Sequence, residues 1–173
     1  MYESFELNSP DKFTTDAIGE PGQREFYIQA QEGTRVATLK IEKQQLHALS
    51  KFVADQLAEV SRPGHLPDDD ELELTQPATP DWIVGPITVD FDATLDRFVV
   101  SCEQATWDDT MADLDALPAT AVFRITREQM AAFAIRAVRL VEAGRPPCPL
   151  CGFPLDAKGH SCPRTNGHSQ PTL

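Results

Sequence analysis

The sequence predicts an α+β body of two similar strand-strand-strand-helix halves related by a pseudo-twofold axis, followed by a small C-terminal zinc-binding module. Three observations predict it. RVATLKIEKQQLHALSKFVADQLAEV from Arg35 matches ATAVFRITREQMAAFAIRAVRLVEAG from Ala119 at an offset of 84, with Leu39 on Phe123, Ile41 on Ile125, Gln45 on Gln129 and Leu49 on Phe133. Upstream, REFYIQAQ from Arg24 matches RFVVSCEQ from Arg97 at an offset of 72, with Phe26 on Phe98 and Ala30 on Cys102. Three of the four cysteines in the chain lie in PPCPLCGFPLDAKGHSCPR, from Pro146 to Arg164.

The first half spans about residues 2–60. KFTTDAIGEPGQREF from Lys12 reads as a strand, a turn and the start of a second strand, and its Pro-Gly pair makes GEPGQR a hairpin turn. That turn also carries Arg24, a charge it could offer to an anionic ligand. The third strand alternates through Leu39 and Ile41, after which apolar spacing changes to three and four residues, the period of an amphipathic helix. Glu42 stands at this helix's cap, a poor capping residue. SRPGHLPDDDELELTQPATP, roughly 61–80, follows as an exposed, acidic, proline-rich linker, with DDDELE lacking the residues a calcium loop needs at Leu72 and Glu73.

The second half, about 81–143, repeats the order. WIVGPITVDFDATLDRF from Trp82 gives two strands, and Thr126 with Gln129 forms a capping-box signature ahead of the second helix. The two offsets differ by 12, so EQATWDDTMADLDALP from Glu103 is an inserted loop with five acidic residues and no basic one. Its Trp107 either packs back onto the body or anchors a basic partner. Cys102, which follows Val99 and Val100 in a predicted strand and aligns with Ala30, is expected to be a buried, inert thiol.

At 173 residues and 41% hydrophobic content, the chain can bury one real core plus an appendage. No stretch approaches the roughly 18 apolar residues of a membrane span, and MYESFELNSP lacks the regions of a signal peptide, so a cytoplasmic location is expected. In a reducing compartment, clustered cysteines read as metal ligands. Cys148, Cys151, His160 and Cys162 follow the pattern Cys-x2-Cys-x8-His-x-Cys, three thiolates and one imidazole in a closed tetrahedral shell that favours structural Zn2+. His168 competes for the fourth place; Gly159 gives the turn at His160 its freedom, and His168 lies in a loose polar tail. Four protein ligands leave no open position for catalysis, and a tail so poor in apolar residues depends on its metal to fold. The tail, 144–173, should be a zinc-ribbon- or knuckle-like domain.

Charge points the same way. The formal net charge is −12. Arg145, Lys158 and Arg164 against Asp156 make the tail +2, leaving the body at −14. An acidic chain of this kind is a poor direct ligand for nucleic acid. The sequence carries no nucleophile elbow, Walker loop, HExxH or GxGxxG motif. A non-enzymatic adaptor or regulatory protein that contacts an unidentified protein partner through its zinc module is therefore favoured. Two alternatives stay open: a zinc-ribbon protein attached to nucleic-acid machinery, and an enzyme using a cleft between the halves near Arg24, Gln29, Arg97 and Glu103.

The run CPLCGFPLDAKGHSCPRTNGH, with the upstream EPGQREFYIQAQ, resembles a family of uncharacterised proteins from high-GC Gram-positive bacteria, classed as a domain of unknown function. The resemblance extends over nearly the whole chain and implies no established activity. The family's motif closes with Asn-Gly-Tyr where this chain has Asn166, Gly167 and His168, which implies that the family's fourth ligand is the residue at His160.

Overall fold

The computed structural model describes residues 2–106, 117–144 and 148–150. Its elements are strands β1 (Phe5–Leu7), β2 (Lys12–Ile18), β3 (Glu25–Glu32) and β4 (Arg35–Ile41), helix α1 (Lys43–Glu59), strands β5 (Trp82–Asp92), β6 (Arg97–Gln104) and β7 (Thr120–Ile125), and helix α2 (Arg127–Glu142). Four strands thus precede α1 and three more precede α2. Strand β1 lies outside the elements expected from the sequence, because three residues are too few to show a period.

All seven strands share one sheet in the order β1-β7-β6-β5-β4-β3-β2, which answers a question the apolar pattern leaves open. Neighbours are antiparallel except β4 with β5 and β1 with β7. Five strand spacings separate β2 from β7, about 24 Å in a flat sheet. Yet the rings of Phe13 on β2 and Phe123 on β7 lie only 5.6 Å apart, and Phe13 is 4.9 Å from Phe133 on α2. The sheet therefore curls until its ends approach, and these rings, with Ile28, Leu39, Phe98 and Met130, fill the interior.

Both helices begin at caps. Thr126 Oγ1 accepts from Gln129 N at 3.1 Å and Gln129 Oε1 accepts from Thr126 N at 3.0 Å. At the start of α1, Gln45 Oε1 accepts from Glu42 N at 3.1 Å, the same reciprocal arm that Gln129 supplies at α2. Hairpin β2–β3 turns at Gly19 to Arg24 as expected, with Gly19 and Gly22 at φ of 109° and 94°. A Cβ on Gly19 would stand 2.8 Å from the Gln23 carbonyl oxygen.

The linker departs from expectation. It has an exposed acidic side, but its backbone is docked on the body and Leu72 is buried. Thr14 Oγ1 donates to Leu72 O at 2.6 Å. Gln29, fully buried on β3, donates to Thr75 O at 3.0 Å and accepts from Thr75 N at 2.7 Å. Asp69, within the acid run, pairs with Arg139 at 2.9 Å. Composition signals solvent, whereas a buried leucine and the backbone groups of Leu72 and Thr75 hold the docking.

Candidate interaction site: the cysteine turn and two helix–strand grooves

Of the four expected metal ligands, the described residues include Cys148 alone; Cys151, His160 and Cys162, together with His168 and Trp107, lie outside them. Cys148 is buried, and the backbone N–H of Leu150 donates to its Sγ at 3.4 Å. Proline and glycine around CPLCG favour this tight turn. A turn that aims an amide at a sulfur stabilises thiolate and is suited to one half of a metal knuckle. Among the described residues no three potential ligands gather elsewhere.

The chain approaches this turn from a fixed place. Arg24 Nη1 donates to Ala143 O at 2.9 Å, satisfying a carbonyl at the end of α2. Gly144 then passes close to α1, where a Cβ would come within 2.9 Å of Lys43 Nζ. The hairpin arginine thus serves a helix end. Gln29 is buried and engaged with Thr38 and Thr75, Arg97 bonds the neighbouring Asp96 O at 3.0 Å, and Glu103 is exposed. These four side chains are not brought into one cleft.

Cys102 is fully buried, and burial pushes its thiol up to about 12. It is chemically quiet at neutral pH. Burial likewise raises Tyr27 to about 12, helped by its hydrogen bond to Glu25. Glu128 is held below the ordinary carboxylate range, first by the amide of Gly64, which donates to it at 2.7 Å.

Each helix faces a strand across a groove. Gln129 Nε2 on α2 donates to Pro10 O at 2.7 Å, and Gln45 Nε2 on α1 donates to Gly85 O at 2.9 Å. The sequence aligns Gln45 with Gln129, but does not announce that one reaches β5 and the other the chain just ahead of β2. Arg136 then draws α2 onto β2 through Thr15 O at 2.9 Å and Asp16 at 2.7 Å, and linker residue Leu72 covers the groove between them. On the other side Phe52 stands out from α1, 46% exposed, and none of the described residues covers the groove toward β5. This space of about 510 Å³ is lined by Ala48, Leu49, Phe52, Ile87, Thr88 and Val89. Its floor requires Gly85, where a Cβ would lie 3.0 Å from Ala105 Cα.

The fold and site define a mixed α+β protein, a single curled seven-stranded sheet with two paired helices and, beyond the second, a turn that buries Cys148. Residues 5–162 match the family model described as Protein of unknown function (DUF3090), and the chain belongs to that family. No curated protein matches the chain. No solved structure matches it.

Proposed function

We propose that the chain is a non-enzymatic, cytoplasmic adaptor or regulatory protein in which Cys148, Cys151, His160 and Cys162 hold a structural Zn2+ and the tail so organised contacts a protein partner. The observation that carries the metal site is the Cys148 turn, with the Leu150 amide on Sγ, standing at the head of a complete Cys3His donor set. The span matched by the family model ends on Cys162 and leaves His168 outside, which favours His160 as the fourth ligand. A closed shell of four makes the ion a staple, and the partner contact falls to the surface it organises. Once the ion and its three thiolates are counted, the tail stands near +1 beside a −14 body, which suits a partner with mixed charge.

The body is proposed to be two tandem copies about a pseudo-twofold axis that runs along the curled sheet. Supporting this, the pairing of β3 with β4 and of β6 with β7 keeps one register under the two offsets: Ile28 faces Leu39 as Val100 faces Phe123, and Phe26 faces Ile41 as Phe98 faces Ile125. Continuous β5 stands where the first copy has β1 and β2. Trp82 faces Leu39 as Leu7 faces Phe123, while Thr88 faces Ser101 as Thr14 faces Gln29. Gln45 and Gln129 bind equivalent carbonyls.

The test is co-purification at low and high salt of the intact chain and a Cys148→Ser, Cys151→Ser variant, with zinc quantified in both. A partner lost together with about one equivalent of zinc, while the body stays folded, is the expected result. Full zinc loss with the partner retained would overturn the adaptor role, and no zinc in the intact chain would overturn the metal site.

A further inference from the structure

Under the tandem relation, the open groove on α1 has a filled counterpart. Gln45, Ala48, Leu49 and Phe52 correspond to Gln129, Ala132, Phe133 and Arg136, and Ile87, Thr88 and Val89 correspond to Phe13, Thr14 and Thr15. That counterpart is the seat of Leu72, whose carbonyl is held by Thr14 and whose surroundings include Phe13, Gln129 and Ala132. The segment that fills it is the one that leaves α1. It passes the start of α2, where Arg127 Nη1 donates to Ser61 O at 2.8 Å, and then runs along the groove.

The segment that leaves α2 begins in the same manner. Gly144 lies against Lys43, the residue corresponding to Arg127, at the start of α1 and beside Gln45. Leu72 follows the α1 cap Val60 by twelve residues, and Leu155 follows the α2 cap Ala143 by twelve. Between the two pairs of expected ligands, Phe153 and Leu155 are the large apolar residues. The groove is open for a visible reason. Phe52 stands where Arg136 stands and cannot clamp α1 to β5, leaving apolar walls exposed.

We propose that the C-terminal segment, residues 151–173, docks in the groove between α1 and β5, with Leu155 over Ile87 and Ala48 as Leu72 lies over Phe13 and Ala132. Lys158 and Arg164 against Asp156 make the segment +1, and with the −14 charge of the body this favours the intramolecular contact over pairing of two acidic bodies. The proposal rests on the tandem-copy reading and not on zinc. With the segment seated, the metal turn is presented at one fixed place on the body.

The full chain is to be made with the photoreactive residue p-benzoylphenylalanine in place of Phe52, irradiated, digested and mapped by mass spectrometry, with zinc content measured on the same sample. A crosslink within one chain from position 52 to the peptide holding Phe153 and Leu155 is expected, falling at least fivefold when Leu155→Asp is added. The same probe at Ile135, which shares a cleft with Leu66 and Leu72, should capture the linker and serves as the reference. A product of two-chain mass, or capture confined to α1 and β5 while the Ile135 probe captures the linker, overturns the docking. Failure of the Ile135 probe as well overturns it through the tandem relation, and zinc content reports the metal site separately in every case.

Discussion

Stepwise alkylation of the four cysteines tests core and tail in one experiment. The perturbations are a zinc chelator and then a denaturant. Cys102 is fully buried and its thiol is raised to about 12. Near pH 8 its thiolate is therefore far scarcer than that of an ordinary thiol, so burial slows alkylation before access is considered. Under the proposed zinc site the three tail cysteines are protected for a different reason, because metal-bound thiolates are ionised but occupied. Incubation with iodoacetamide and intact-mass analysis should show no rapid addition to the untreated chain, three additions after chelation, and the fourth only in denaturant. Rapid labelling of Cys102 in the folded chain would refute the packing around β6. Three fast additions without chelator would refute metal ligation while leaving the fold intact.

Phe13→Ala removes a ring that joins β2 to β7 and α2, and should cost about 3–5 kcal/mol in urea unfolding; a loss below about 1 kcal/mol would mean that the sheet ends do not meet. Arg136→Met leaves Asp16 without its guanidinium and frees Thr15 O, and with both side chains largely shielded, at 16% and 27% exposure, it should cost about 1–2 kcal/mol with little salt dependence, read from the same curves. Glu128 has a lowered folded pKa, so its contribution is present above the ordinary carboxylate value of about 4.3 and is lost as pH falls through the folded value. Glu128→Gln should therefore flatten the acid limb of a stability profile, and an unchanged limb would show that the Gly64 contact is not formed in solution.

Much of this architecture is legible in the sequence because strand and helix periods are local. Leu39 and Ile41 alternate and Leu46, Leu49 and Val53 follow at helical spacing, and all five are buried. A single offset sets Gln45 on Gln129 with no knowledge of the carbonyl that either one binds. Three things are hidden for physical reasons. A three-residue strand such as β1 has no period. The linker's acidic composition describes its outward side chains, while Gln29 and Thr14 hold its backbone from beneath. The curl of the sheet depends on Phe13 meeting Phe123 across the strand order, a contact that no sequence spacing announces. At the site, Cys and His spacing yields the proposed ligand set, but the groove beside Phe52 has no sequence signal, and under the proposed tandem relation it comes from Phe52 standing in place of Arg136.

That difference can be reversed. Phe52→Arg sets a guanidinium where Val89 O and Asp90 would receive it, the counterparts of Thr15 O and Asp16 that hold Arg136. The new pair lies nearer to solvent than the old, so its gain is at most about 1 kcal/mol, offset in part by removing the apolar packing of a ring that is already 46% exposed. Stability should therefore change by less than about 1 kcal/mol, while the groove narrows. If the C-terminal segment occupies that groove, it is displaced, and trypsin should cut after Lys158 and Arg164 several-fold faster than in the parent chain. Unchanged cleavage with unchanged stability would show that the segment draws no protection from α1 and β5. A matching Phe52→Lys variant, with a charge but no planar fork, should protect the segment less well than Phe52 yet fail to close the groove, separating the clamp from simple removal of the ring.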